Sequence, residues 1–301
     1  MKRKHVFAGA LVALALVVGV SATAWSSPAR ASTATSIPNF KHVVIVMFEN
    51  HGYSDIIGDD LAPTFNSVAT QYALMTNYDG IAHPSLPNYL AITSGSTHGI
   101  KSDCTTCIVS AKNLADSLDA VHKTWKTYAE ALPKAGATGI TYGGVNGYVK
   151  RHDPLMYYKD IVKSAKRRAH IVPFTQLAHD VAKNQLPAFS LIIPTLEDDM
   201  HNGTVPQGDS WLNTNIVPLL TSPALGTNGV VFIVFDESED SDTTGGGGHI
   251  AVIAAGPGVT PGSTFAGTTN HYGLLRTIEQ AWHLPLLAKS ATATAITGIW
   301  K

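Results

Sequence analysis

The run His42-Val43-Val44-Ile45-Val46-Met47 is followed, after Phe48, by Glu49-Asn50, and this pairing of an apolar strand with polar groups at its end decides the fold class. The run has strand length and no alternation of apolar with polar residues, which suits a strand buried on both faces of a sheet. Similar runs recur at Phe189–Ile193, Val230–Phe235 and Ile250–Ala255. Between them lie segments with helical spacing: Ala62–Ala73, Asn113–Val121, Thr175–Lys183, Ser210–Leu220 and Tyr272–Trp282. The alternation predicts an α/β domain with a largely parallel central sheet. The Gly- and Tyr-rich stretch Ala135–Tyr158 reads as an inserted loop region, and Gly245–Gly248 as a mobile or tightly turning loop that could face a substrate.

The 301 residues hold 45% apolar and only 14% charged residues, too apolar and too weakly charged for a disordered chain. Lys2, Arg3, Lys4 and Arg30 all precede residue 32, where no acid occurs; the remainder carries 17 basic against 22 acidic residues. A chain with that balance has no global attraction for nucleic acid, so nucleic-acid binding is set aside. The basic start, the apolar run Val6–Val20 and the small residues around Ala29-Arg30-Ala31 predict a cleaved export signal over residues 1–31. A flexible stretch over 32–39 and a single domain over 40–301 follow, in a secreted, monomeric protein without stable membrane insertion. Fifteen apolar residues are short for a membrane span, which needs about 20. The two cysteines, Cys104 and Cys107, then lie in an oxidising compartment, and a local disulfide is expected.

Three of the four buried runs are followed by acids or amides: Glu49-Asn50, Asp198-Asp199 with His201, and Asp236-Glu237. Ligands of open α/β sheets bind outside the carboxyl ends of the parallel strands, so these groups can converge there. Converging carboxylates repel one another unless a divalent cation joins them. Glu49, Asn50, Asp236 and Glu237 offer hard oxygen donors suited to Mg, Ca or Mn, and histidines would extend the choice to Zn or Fe.

A nucleophile candidate is Ser85, in His83-Pro84-Ser85-Leu86-Pro87-Asn88-Tyr89. As the N-cap of a following helix, its hydroxyl would lie beside unpaired backbone N–H groups, a favourable place for a phosphate. Among the histidines, His201 and His249 are candidates for contacting or protonating a phosphoryl ester, whereas His271 is expected to cap the last helix.

Together, Val46–Asn50, His83–Tyr89, Asp198–Gly203 with Gln207–Leu212, Phe235–Glu237, Gly256–Gly262 and Asn270–Glu279 resemble the bacterial phosphoesterase family, which contains acid phosphatases and phospholipases C. The resemblance runs from about Phe40 to the C-terminus and implies the alkaline-phosphatase-like three-layer sandwich. It places Glu49, Asn50, Asp236 and Glu237 at metal-binding positions and Ser85 at the nucleophile. Ser85, His201 and His249 become the catalytic candidates, and Asn50, Asn88 and His201 the contacts of the substrate phosphate. A phosphomonoester substrate is implied, with a phosphoinositide head group as a candidate, through a phosphoserine intermediate. A phospholipase C-type diesterase and a non-catalytic calcium-binding surface protein are the alternatives. The sulfatase pattern Cys/Ser-x-Pro-x-Arg fits Ser85-Leu86-Pro87-Asn88 but meets Tyr89 in place of Arg, which argues against that chemistry.

Overall fold

A computed structural model describes residues 36–301, together with residues 1, 2, 4 and 5; the segment read as an export signal lies almost wholly outside the described residues. In chain order the strands are β1 (Val43–Phe48), β2 (Ala73–Met75), β3 (Tyr78–Asp79), β4 (Trp125–Ala129), β5 (Thr141–Tyr142) and β6 (Tyr148–Val149). They continue as β7 (Ile171–Pro173), β8 (Phe189–Ile193), β9 (Val230–Phe235), β10 (Val252–Ala255), β11 (Ser263–Phe265) and β12 (Thr269–Asn270). The helices are α1 (Tyr53–Ile56), α2 (Pro63–Gln71), α3 (Leu86–Ser94), α4 (Leu114–Ala120), α5 (Lys159–Val162) and α6 (Ala165–Arg168). They end with α7 (Thr175–Ala182), α8 (Val205–Asn215), α9 (Val217–Leu220) and α10 (His271–Ala281).

An eight-stranded sheet in the order β11-β2-β10-β9-β1-β8-β4-β7 forms the centre. Its ladders are parallel except where β10 pairs with β9 and β2, so β10 alone runs against the rest. Every residue of β1, β8 and β9 is buried, which requires cover on both faces and gives the three layers expected from the uninterrupted apolar runs.

Helix ends follow local chemistry. Asn113 caps α4 through the Asp116 N–H while the Asp116 carboxylate accepts from the Asn113 N–H, so both orphan donors are satisfied. The predicted helix Ser210–Leu220 is corrected: α8 starts earlier, behind the Thr204–Gln207 capping box, and the chain breaks at Ile216. Pro218 explains the break, because it has no N–H and its ring collides with the preceding turn.

The register of the central strands sets up the site. Phe48 on β1 lies opposite Phe235 on β9, so Glu49 and Asp236 leave the sheet side by side. The Asp236 N–H donates to the Phe48 carbonyl at 2.9 Å, and the Glu49 N–H to the Asp199 carbonyl at 2.9 Å. Beneath them Phe48, Phe65, Phe235 and Trp211 pack at ring separations of 5.0–5.9 Å, a dry aromatic floor.

One loop expectation is corrected and another is narrowed. Within Ala135–Tyr158, Tyr148, Lys150, His152, Asp153 and Leu155–Tyr158 are buried, so the insertion is a packed element that feeds the site. The glycine loop takes the tightly turning form of the two expected: the Gly80 N–H donates to Gly248 O and the Ser238 N–H to Gly247 O. A Cβ on Gly246, whose φ is 111°, would sit 2.4 Å from Ile81 O, so only glycine permits this approach to the segment before Ser85.

Candidate active site

Ser85 is buried at the start of α3, yet its hydroxyl does not cap the helix. It lies within hydrogen-bonding range of Glu49 Oε2 at 2.9 Å and Glu237 Oε1 at 3.3 Å. The expectation of unpaired helix donors beside it is corrected: Asp103 Oδ1 accepts the Leu86 N–H at 3.0 Å, Pro87 has none, and the Asn88 N–H donates to Ser85 O. Asn88 is likewise spent. Its Oδ1 accepts from the Ile81 and Ala82 N–H groups, and its Nδ2 donates to Ala82 O and Glu237 Oε2. Asn88 therefore orients Glu237 and the loop before Ser85, leaving no donor for a phosphate.

Asn50 adopts the left-handed backbone, with φ 53°, which asparagine tolerates better than most residues. Its N–H donates to Asp236 Oδ1 at 3.3 Å. Its side-chain amide lies 3.2 Å from both Glu49 Oε2 and Glu237 Oε1. With nitrogen inward it donates to both carboxylates; with oxygen inward, three oxygens face one point, as around a cation.

Four carboxylates, Glu49, Asp199, Asp236 and Glu237, are buried here. Burial raises the pKa of each: Asp199 to about 8 and Glu237 to about 9, with Asp236 repelling Glu49 and Glu237 repelling Asp236. Asp236 Oδ2 is buried without a hydrogen-bond partner. The donor set and this orphaned oxygen fit a divalent cation, whose charge would reverse the repulsion.

His152 was not legible as a site residue. It is buried, stacked on Tyr89 at 5.2 Å, and burial holds its pKa well below the ordinary value. Its Nδ1 meets Asp199 Oδ2 at 3.1 Å, which fixes the orientation of the ring. Its Nε2 lies 3.2 Å from Glu49 Oε1 without a hydrogen bond between them. Glu49, His152 and His201 offer ligand atoms all within 4.8 Å of one another, a mixed donor set that shares Glu49 with the oxygen cluster. Tyr89, where a sulfatase would need Arg, donates its hydroxyl to Glu49.

His201 reaches the site, with Nδ1 and Nε2 engaged by Asn202 Oδ1 at 2.9 Å and Arg151 Nη2 at 3.1 Å. His249 is a correction: its ring stacks on Tyr53 at 4.6 Å, its Nε2 meets Thr76 O, and it bonds to none of the clustered groups. His271 is another. Asn270 caps α10, while buried His271 donates through Nε2 to Asp236 O at 2.6 Å and so braces the turn that carries a carboxylate. His83 Nδ1 lies 3.0 Å from Glu237 Oε2. Cys104 and Cys107 form the expected disulfide.

The model of the Phosphoesterase family matches residues 59–285, downstream of Glu49 and Asn50. The chain is 34% identical over 268 residues to a phosphatidylinositol-3-phosphatase of Mycobacterium tuberculosis, covering 89% of this chain and 85% of that protein. It is 29% identical over 255 residues to an acid phosphatase of Aspergillus fumigatus, covering 83% of this chain but only 56% of the fungal protein. Its fold is similar to that of an alkaline phosphatase superfamily protein from Vibrio parahaemolyticus, at a TM-score of 0.56 and 14% identity over 87% of this chain and 72% of the other. A family match over most of the chain and a relative covered along most of both lengths lead to one conclusion: the chain belongs to the Phosphoesterase family.

Proposed function

We propose that this protein is a secreted, divalent-metal-dependent phosphomonoesterase in which Ser85 transiently carries the phosphoryl group. Its phosphatase relatives make it a phosphoric monoester hydrolase. The observation that carries the rest is the buried Ser85 hydroxyl facing Glu49 and Glu237 inside a ring of carboxylates. Glu49, Asn50, Asp236 and Glu237 would hold the metal. When bound, it would supply a lowered hydroxyl pKa and a polarised phosphoryl group.

Ser85 Oγ attacks phosphorus in line, its proton passing to Glu49, and the bond from phosphorus to the ester oxygen breaks. The departing alcohol takes a proton from solvent, and water then releases phosphate from Ser85. The Tyr89 hydroxyl keeps the Glu49 carboxylate oriented, His271 braces the Asp236 turn and Asn88 fixes Glu237. Residues 1–31 act as the export signal, 32–39 as a flexible stretch and 40–301 as the catalytic domain. Among the described residues no helix is long and apolar enough to cross a membrane. The mycobacterial relative makes a 3-phosphorylated phosphoinositide the first natural substrate to try.

Metal-stripped and reconstituted protein, assayed across pH on p-nitrophenyl phosphate, its bis-ester, phosphatidylinositol 3-phosphate and phosphatidylcholine, tests this. Metal-dependent phosphate release from monoesters is expected. Faster cleavage of the diesters would replace the proposal with a phospholipase, and no hydrolysis under any condition would leave only a metal-binding protein.

A further inference from the structure

Two of the donors expected to receive the substrate's phosphate are committed elsewhere: both Asn88 amide hydrogens have partners, and the Leu86 N–H is taken by Asp103. A phosphate approaching four buried carboxylates still needs positive charge and hydrogen-bond donors on the protein. The turn after β6 brings one cation to that place. Arg151 Nη2 lies 3.1 Å from His201 Nε2, and His201 shares a 4.8 Å neighbourhood with Glu49 and His152. Arg151 Nε lies 3.3 Å from Asp103 Oδ2, and the other oxygen of that carboxylate holds the N–H of the residue after Ser85. One acid thus ties the guanidinium to the start of the nucleophile's helix.

The side chain is 21% exposed, and Nη1 makes no hydrogen bond to the described residues. Neighbouring Lys150 differs: it is buried, donates to Thr105 O at 2.9 Å and lies 4.5 Å from the Tyr157 ring centre, so its charge is used within the fold. A guanidinium stays charged at any working pH and presents a planar fork matched to phosphate oxygens. Anchored along one edge, Arg151 keeps another edge free. We propose that Arg151 receives a phosphate oxyanion of the bound substrate and so determines which phosphate esters the site accepts. This inference rests on the phosphatase reading.

Two sources of that oxyanion share the same chemistry: the reacting phosphoryl group, or a second phosphate on the same molecule. Kinetics of Arg151→Met and Arg151→Lys on p-nitrophenyl phosphate and on a sugar bisphosphate separate them, with inorganic phosphate as competitive inhibitor and as calorimetric ligand. Arg151→Met is expected to raise KM, and the inhibition constant of phosphate, by about 10–100-fold, the weight of a charge-assisted hydrogen bond, with kcat within about 3-fold. Arg151→Lys should recover part of the loss and covers the case in which the methionine variant folds poorly. Equal loss on both substrates identifies the reacting phosphoryl; loss on the bisphosphate alone identifies a second phosphate. Unchanged KM and phosphate affinity in a folded variant, or a fall in kcat and melting temperature without a change in KM, would overturn the proposal and leave Arg151 a strut between Asp103 and His201. If the wild type hydrolysed no monoester, the phosphatase reading would fall, while calorimetric phosphate binding would still decide the role of Arg151.

Discussion

At the ends of β1 and β9, Glu49, Asp236 and Glu237 are buried and lie against one another. A few residues further along the same two segments, Asp55, Glu239 and Asp242 line a surface pocket of about 240 Å³ with Gly52, Tyr53 and His249. Both groups are acidic and both have a histidine close by, yet their chemistry diverges. Asp242 accepts from the Thr244 and His249 N–H groups at 2.9 Å, and hydrogen bonds led by Thr244 hold its pKa below the ordinary value. Asp55 accepts the Gly52 N–H at 2.8 Å. Asp55 and Asp242 are thus stabilised by backbone donors, whereas Glu239, hydrogen-bonded to the Asp55 carboxyl, has its pKa raised by that contact. Burial instead drives the strand-end group towards protonation, because too few donors face it. Acidity alone does not make a cation site; acids placed beyond solvent, with their oxygens turned towards one another, do.

The largest effect that would separate the two regions is on turnover. Ser85→Ala should lower kcat on p-nitrophenyl phosphate by at least about 10⁴-fold while the melting temperature stays within a few degrees. Near-normal activity would remove Ser85 from the chemistry. Next comes the metal. Chelation should abolish hydrolysis and lower the melting temperature by about 5 °C, and titration of a divalent ion should restore both. Asp242→Asn and Glu239→Gln should leave that response unchanged, whereas Asp236→Asn should erase it. The same Asp236→Asn substitution should raise the melting temperature of metal-free protein, because it removes one of several repelling carboxylates. A lowered value there would contradict the electrostatic account. His249→Ala, on the exposed side, should change kcat/KM by less than about 5-fold; a loss as large as that of Ser85→Ala would reinstate it as catalytic.

The smallest effect concerns a third acid that answers burial in another way. Glu279 is buried in α10 and accepts from the Leu287 N–H at 2.9 Å and the Ser290 hydroxyl at 2.5 Å, with no acid cluster around it. Burial raises its pKa from 4.5 to about 7. The folded state therefore holds its proton more tightly than the unfolded chain. Its stabilising contribution is full below pH 4.5 and is lost as pH rises through about 7. Glu279→Gln should flatten that part of the melting profile by about 2–4 °C; an unchanged profile would remove the linkage.

What the sequence made legible follows the same division. Continuous apolar runs reported β1, β8 and β9, and the polar groups directly behind them reported Glu49, Asn50, Asp236 and Glu237, because strand register carries residues at matching offsets to one rim. The fate of side chains in loops was not legible. His152 and Arg151 lie in a stretch whose glycines and tyrosines suggest surface, and only the tertiary fold buries it. The signal available was Lys150-Arg151-His152-Asp153, a charged group set before the apolar run Leu155–Tyr158. His249 and His271 were misassigned for a related reason. Each adjoins a strong local feature, the glycine loop or a helix start, while its actual partner is far away along the chain: Thr76 O for one, Asp236 O for the other.

The central claim is that the strand-end carboxylates prepare Ser85 to take up a phosphoryl group. Rapid acid quenching during turnover of a monoester by metal-loaded protein, followed by peptide mass spectrometry, examines it directly. One added phosphoryl group is expected on the peptide containing Ser85, absent from Ser85→Ala and from metal-free protein. Full turnover with no adduct on that peptide, or an adduct on another residue, would contradict it.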